Sequence, residues 1–165
     1  MSACETGAMA RDLGDGYELD DDPARVDRDA VHAYLATAYW AVGRTRADQD
    51  ALIDGSARVV GLYCNDEQIG FARASEFDAG RFMYLADVYV LDEHQGRRIG
   101  ARLLQELVRR AEAHGFHSVI ARVVGGNDAS IGLHAASGFE IVGTEREVGR
   151  KFGRWLDVVE MQRML

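Results

Sequence analysis

Val88-Tyr89-Val90-Leu91-Asp92-Glu93-His94-Gln95-Gly96-Arg97-Arg98-Ile99-Gly100-Ala101-Arg102-Leu103-Leu104 decides the fold. The run that leads into it, residues 82–91 (FMYLADVYVL), is almost continuously apolar and rich in aromatic and β-branched types. Such a run suits a central strand buried on both faces. From Ile99 the period changes: Ile99, Leu103, Leu104, Leu107, Val108 and Ala111 make one stripe at helical spacing. Gly115, after His114, reads as the helix stop. Gly96 and Gly100 lie between strand and helix, with Arg97, Arg98 and Arg102 around them. A strand feeding a helix through such a loop aims free N–H groups and the positive dipole end at one point. That is an anion site, suited to a pyrophosphate.

Outward from this stretch, the 165 residues suit one domain with a real core. Mean hydropathy of −0.20 is that of an ordinary soluble chain. A net charge of −8 argues against non-specific binding to nucleic acid or to an acidic membrane. Cys4 and Cys64 are isolated thiols without metal-ligand spacing, so no metal site and no disulfide framework are expected. No run of about 20 apolar residues marks a membrane span. Residues 1–16 lack the apolar core of a signal peptide. Together these features predict a cytoplasmic protein.

In chain order, residues 1–16 show no periodicity and read as a disordered tail before a single domain over 17–165. Tyr17–Asp20 reads as a short strand, and Asp20-Asp21-Asp22 before Pro23 as a solvated turn rather than a cation site. Asp27 caps a helix carrying Val31, Tyr34, Leu35 and Ala38 on one face. Thr45, with Asp48 three residues on, opens a second helix that ends near Gly55. Residues 58–64 and 68–74 form a hairpin around Asn65-Asp66-Glu67, and Asp78-Ala79-Gly80 turns into the central strand. A strand at His117–Val124, joined by the helix, runs parallel to the central one. A short helix over Ser130–Ser137 and strands over Phe139–Val148 and Trp155–Met164 complete the order. The last two strands are joined by the basic turn Gly149–Arg154.

Gln95-Gly96-Arg97-Arg98-Ile99-Gly100 resembles the pyrophosphate motif of the GNAT superfamily of acyl-CoA-dependent N-acetyltransferases, Gln/Arg-x-x-Gly-x-Gly/Ala, with Arg98 in place of the first glycine. The order of elements resembles the same fold. Its implied class is α/β (α+β), with a mixed central sheet of about six to seven strands and about four helices. Two further stretches, Asn127–His134 with Ser137-Gly138-Phe139, and Arg146–Val159, resemble the phosphinothricin N-acetyltransferase subgroup. Tyr39-Trp40-Ala41-Val42-Gly43-Arg44 is similar instead to another set of small bacterial GNAT proteins.

The resemblance implies acetyl-CoA as donor and a primary amine of a small molecule or amino acid as acceptor. It places Val88, Tyr89 and Val90 against the pantetheine through main-chain atoms. The loop Gly96, Arg97, Arg98, Ile99, Gly100 and Ala101 then takes the pyrophosphate, and Asn127 lies near the pantetheine. His134 falls where the subgroup has histidine near the thioester sulfur, as an acid for the thiolate. From the residues themselves, Met83, Leu85, Asp87 and Tyr89 share one face by alternation. Asp87 is the only carboxylate in that run. Among apolar side chains its pKa would rise and it would serve as a base; the alternative is a structural hydrogen bond or an arginine pair. Tyr39, Trp40 and Trp155 are candidates for the acceptor pocket or for core packing. Arg150, Lys151 and Arg154 suit an acceptor carboxylate or a solvated turn. An acetylated peptide or protein amine, a non-catalytic acyl-CoA-binding module and a homodimer all remain open.

Overall fold

The computed structural model describes residues 10–151 and 153–165. The chain runs β1 (Arg11–Gly14), β2 (Tyr17–Asp20), α1 (Arg28–Thr37), α2 (Arg46–Asp54), β3 (Arg58–Cys64) and β4 (Glu67–Phe77). It continues through β5 (Phe82–Val90), α3 (Ile99–His114), β6 (Ser118–Val124), α4 (Asp128–Ala136), β7 (Glu140–Lys151) and β8 (Arg154–Met164). One sheet holds all eight strands in the order β1-β2-β3-β4-β5-β6-β8-β7. Among the described residues only the β5–β6 pair is parallel, as a strand–helix–strand crossover requires. The sheet has one strand more than the sequence predicts. The addition is β1, which lies inside the expected tail and pairs with β2. The rest of that tail, residues 1–9 with Cys4, lies outside the described residues. No helix among the described residues is long and apolar enough to cross a membrane.

Local signals explain most boundaries. Asp27 Oδ1 accepts from the N–H groups of Asp29 and Ala30 and starts α1. Thr45 and Asp48 form a reciprocal capping box at α2. Asn65 and Asp66 take left-handed φ of 50° and 68° in the two-residue β3–β4 turn, a geometry that Asn and Asp tolerate. The helices cover both faces of the sheet. Leu103, Leu104 and Leu107 of α3 pack with Val60, Leu62, Met83 and Leu85. Val31 and Leu35 of α1 and Ile53 of α2 pack on Val59, Phe71 and Tyr89 on the opposite face.

A β-bulge in β5 corrects the expected alternation. Arg73 of β4 pairs with Asp87 and Ala74 with Leu85, so Ala86 is an extra residue on β5. The extra residue reverses the facing of every side chain after it. Met83 and Leu85 face α3, whereas Tyr89 faces α1 and α2. The four residues therefore do not share one face. The ladder to β6 also ends at Leu85, paired with Ala121, while β6 continues beside β8 to Val124. From Ala86 to Val90, β5 has no strand partner on that side.

The acidic cluster before α1 is not a solvated turn. Asp20 pairs with Arg25 at 2.8 Å and Asp21 with Arg110 at 2.8 Å, while Asp22 accepts from Ala24 N. Arg110 in turn binds Glu106 Oε1 at 2.9 Å. The Glu106 carboxylate, 2% exposed, also meets Arg11 of β1 at 3.0 Å and Arg109 at 2.5 Å. Burial raises its pKa, but the hydrogen bonds from Arg109, Arg110 and Arg11 outweigh burial and hold it at about 2, against 4.5 ordinarily. A depressed folded-state pKa means stability that is complete above pH 4.5 and lost as pH falls toward 2. With screening at the half-exposed Arg11 and Arg109, the loss between about pH 6 and pH 3 should be roughly 1–2 kcal/mol. Urea titrations at those two pH values should show wild type losing that much more than Glu106→Gln. Equal losses would place the acid sensitivity elsewhere.

Candidate active site

The divergence of β5 from β6 opens a cleft of about 1300 Å³. Its walls come from β5, the loop into α3, β6, α4, the segment after α1, and the β7–β8 hairpin. At the α3 end, Gln95 Nε2 donates to the Val90 carbonyl at 2.9 Å and to Asp92 Oδ1 at 2.8 Å, which fixes the loop. Gly96 has φ of 80°. Arg98 is the N-cap residue of α3 at φ 59°, and no side chain caps the helix. The first N–H groups of α3 are thus left for a ligand. A Cβ at Gly96 would meet nothing within 4 Å, and at Gly100 only Leu133 and Val90 at 3.8 Å.

Of the residues expected at the donor, Val88, Tyr89, Val90, Gly96, Arg98, Gly100, Ala101 and Asn127 line the cleft. Asn127 also caps α4, its Oδ1 accepting from Ser130 N at 3.2 Å. The side chains of two others turn away. Ile99 enters the core at 5% exposure. Arg97 Nη1 donates to the Tyr17 hydroxyl at 3.1 Å, tying the loop to β2. Arg102 similarly donates to the Leu13 carbonyl. Of the three arginines expected as the basic cluster, Arg98 alone lines the cleft.

Asp87 does not sit among apolar side chains. The bulge turns it toward the segment after α1, and its fully buried carboxylate meets two guanidiniums and an indole. Arg73 Nε donates to Oδ2 at 2.6 Å. Arg44 Nη1 lies 2.8 Å from Oδ2 and 3.0 Å from Oδ1, and Trp40 Nε1 donates to Oδ1 at 3.1 Å. This is the arginine-paired alternative. Trp40, Tyr39, Arg44 and Arg73 all line the cleft. Trp155 does not: along β8, Leu156 and Val158 point into the cleft, so alternation sends Trp155 outward, 56% exposed beneath the Arg150 guanidinium. Lys151 alone of the three basic residues near that turn lines the cleft, with its ammonium 5.5 Å from the Tyr39 ring centroid. The basic turn's Phe152 lies outside the described residues.

His134 lines the opposite wall, buried, with Nδ1 2.8 Å from the Ser130 carbonyl and its ring edge-on to Phe139. A carbonyl only accepts, so Nδ1 carries the proton and the neutral ring keeps its lone pair on Nε2. Burial holds the His134 pKa below 6.5 despite the hydrogen bond to Ser130. At neutral pH the imidazole is thus in its neutral form, with Nε2 open to accept a proton. Burial also pushes up the phenols of Tyr34, Tyr84 and Tyr89, so these cleft residues stay protonated donors.

Comparison with known proteins places this arrangement. A family model described as "Acetyltransferase (GNAT) family" matches residues 18–139. An L-methionine sulfoximine/L-methionine sulfone acetyltransferase of Pseudomonas paraeruginosa is 41% identical over 124 residues, covering 70% of this chain and 72% of the relative. The L-amino acid N-acyltransferase MnaT of Escherichia coli is 36% identical over 126 residues, covering 76% of this chain and 70% of the relative. A phosphinothricin acetyltransferase from Sinorhizobium meliloti, solved in complex with acetyl-CoA, superposes with a TM-score of 0.79 at 29% identity. That match covers 91% of this chain and 89% of the other.

Asp87→Asn tests the hub directly. It leaves Arg44 and Arg73 facing a neutral amide, and breaking a buried ion pair costs about 3–5 kcal/mol. In a domain of this size that is a fall in Tm of roughly 6–20 °C by calorimetry. A variant melting with wild type would mean that Asp87 does not hold the two arginines.

Proposed function

The chain belongs to the GNAT family of acetyltransferases, and from that premise we propose that its acceptor is the primary amine of a small amino acid or amino-acid analogue. The observation that carries the reading is the cleft itself: an unpartnered strand edge, Ala86–Val90, leading to an uncapped helix N-terminus. The family's donor is acetyl-CoA, which supplies an activated acyl group as a thioester. The residues here fit it. The free edge of β5 suits the amide-bearing pantetheine arm as an added strand. The α3 N-terminus, Arg98 and the open space at Gly96 and Gly100 suit the pyrophosphate. The relatives' names supply the acceptor class, L-amino acids and the methionine-derived analogues.

Acyl transfer to an amine is mostly a matter of positioning. The amine must be neutral to attack, so its proton must leave. We assign that step to Nε2 of neutral His134, directly or through a water. Asp87 has a positioning role: it fixes Arg44, Arg73 and Trp40 against the acceptor end. A peptide acceptor is less well matched, because Arg44, Arg73, Arg98, Arg122 and Lys151 line the cleft and, among the described residues, no carboxylate does. The unpaired, half-buried thiol of Cys64 agrees with a reducing cytoplasm.

Thiol release from acetyl-CoA in the presence of an amine panel tests the reading. L-methionine sulfone, L-methionine sulfoximine or phosphinothricin should give saturable, amine-dependent release, and folded protein that releases none would sink it. His134→Ala should lower kcat by about 10²-fold, near the lower bound for a general base. Gly100→Asp should weaken coenzyme A binding at least tenfold in calorimetry, about 1.4 kcal/mol.

The same reading includes a homodimer. Ile141 at 59% and Val142 at 57% exposure lie side by side on β7, the edge strand of the sheet. Exposed apolar side chains on an edge strand suit contact with a second copy. Sedimentation velocity should give a dimer for wild type and a monomer for Val142→Glu. A monomeric wild type at micromolar concentration would remove the dimer.

A further inference from the structure

We propose that Lys151 is a self-acetylation site: when no acceptor is present, its ε-amine takes the acetyl group from acetyl-CoA held in the same cleft. The proposal rests on the N-acetyltransferase reading, which supplies the thioester, and adds a modification of the chain itself. It begins with composition. Of the 19 lysine and arginine residues, 18 are arginine, and Lys151 is the one lysine. A guanidinium keeps its proton and does not attack a thioester, whereas an ammonium becomes a nucleophile on losing one proton. The chain therefore carries a single ε-amine. The fold sets it on the wall of the cleft that His134 and the open edge of β5 also line.

The surroundings leave that amine reactive. Lys151 closes β7 and pairs with Arg154 across the turn into β8, so the hairpin fixes where its side chain starts. Its ammonium lies 5.5 Å from the Tyr39 ring centroid, and among the described residues no carboxylate pairs with it. Burial first, then the charge of Arg44, hold its pKa below the ordinary 10.5, which enlarges the neutral fraction at any given pH. Arg44 is tied to Asp87 at 2.8 Å, so that neighbouring charge stays in place. A lysine desolvated beside a second cation is the usual form of an activated amine. The phenols of Tyr34, Tyr84 and Tyr89 in the same cleft stay protonated and do not compete. In the step itself the lone pair of neutral Nζ attacks the thioester carbonyl carbon. The C–N bond forms, the C–S bond breaks, and its electron pair leaves on sulfur as the coenzyme A thiolate. Nζ gives up one further proton to water and ends as a secondary amide. A neutral, longer side chain then stands beside Tyr39 where a cation stood. Acceptor amines in the cleft shield the lysine; when they are scarce the enzyme modifies itself and slows.

Intact-mass measurement of the full chain, incubated with acetyl-CoA and no amine, tests the site. Wild type should gain one acetyl group at a rate independent of protein concentration, and peptide mapping should place it on Lys151. Lys151→Arg should gain none. Excess free coenzyme A should slow the gain severalfold. Wild type incubated in this way should lose about threefold or more in kcat/KM for an amine that turns over, because a charge is lost and bulk added in the cleft. Lys151→Arg, whatever its starting rate, should lose nothing over the same incubation. An unmodified wild type that still turns over amines would overturn the site and leave the acetyltransferase reading standing. An acetyl group mapped to the α-amine instead, or gained as fast by protein unfolded in urea, would overturn it as well. Neither self-acetylation nor turnover of any amine would remove both.

Discussion

Burying the Asp87 carboxylate removes it from water, and the fold must offset that cost locally. It does so with three side chains at once: Arg73 from β4, directly opposite in the ladder, and Trp40 and Arg44 from the segment after α1. The extra residue Ala86 makes this possible. Without the bulge Asp87 would point into the apolar face under α3, where Met83 and Leu85 lie. With it, the carboxylate turns to the face where arginine and tryptophan wait. The same bulge is where β5 and β6 part. One inserted residue thus opens the cleft, frees the strand edge and anchors the cationic end of the cleft.

The fold was largely legible because its determinants are local. The 3.6-residue stripe of α3, the caps Asp27 and Thr45, and the Asn65-Asp66 turn each specify their own neighbourhood, and each appears where the sequence predicts it. β1 was not legible. Arg11–Gly14 has no apolar alternation, and its strand exists through pairing with β2 and the Arg11–Glu106 contact. The α3 end of the cleft was legible for a related reason: a strand, a glycine loop and a helix stripe are contiguous in sequence.

The cationic end of the cleft was not legible, because it is assembled from four distant segments. Alternation placed Asp87 correctly on β5 but could not register the inserted Ala86, so its face and surroundings were misread. Nothing near Arg44 or Arg73 in sequence points to a carboxylate on another strand. Trp155 was misplaced for the opposite reason: a large aromatic suggests a pocket, but β8 alternation gives the cleft to Leu156 and Val158. His134 lines the cleft, but its proton inventory was not legible. The Ser130 carbonyl and the burial of the ring decide its tautomer and charge, and both depend on packing.

Arg98 shows how local strain and function are traded in the same loop. Its φ of 59° is a conformation glycine adopts freely and an L-residue with a side chain adopts at about 1–2 kcal/mol. The turn demands that conformation, since the chain must leave β5 and enter α3 with the helix N-terminus facing the cleft. A glycine there would relieve the strain and contribute only backbone N–H groups. Arginine accepts the strain and adds a full positive charge on the cleft wall, where the sequence-adjacent Arg97 and Arg102 are committed to Tyr17 and Leu13. On a chain of net charge −8 the helix dipole, about half a charge, is a weak counterweight for a multiply charged phosphate ligand. Arg98 supplies what the dipole cannot, and the departure from glycine is thereby consistent with anion binding at that loop.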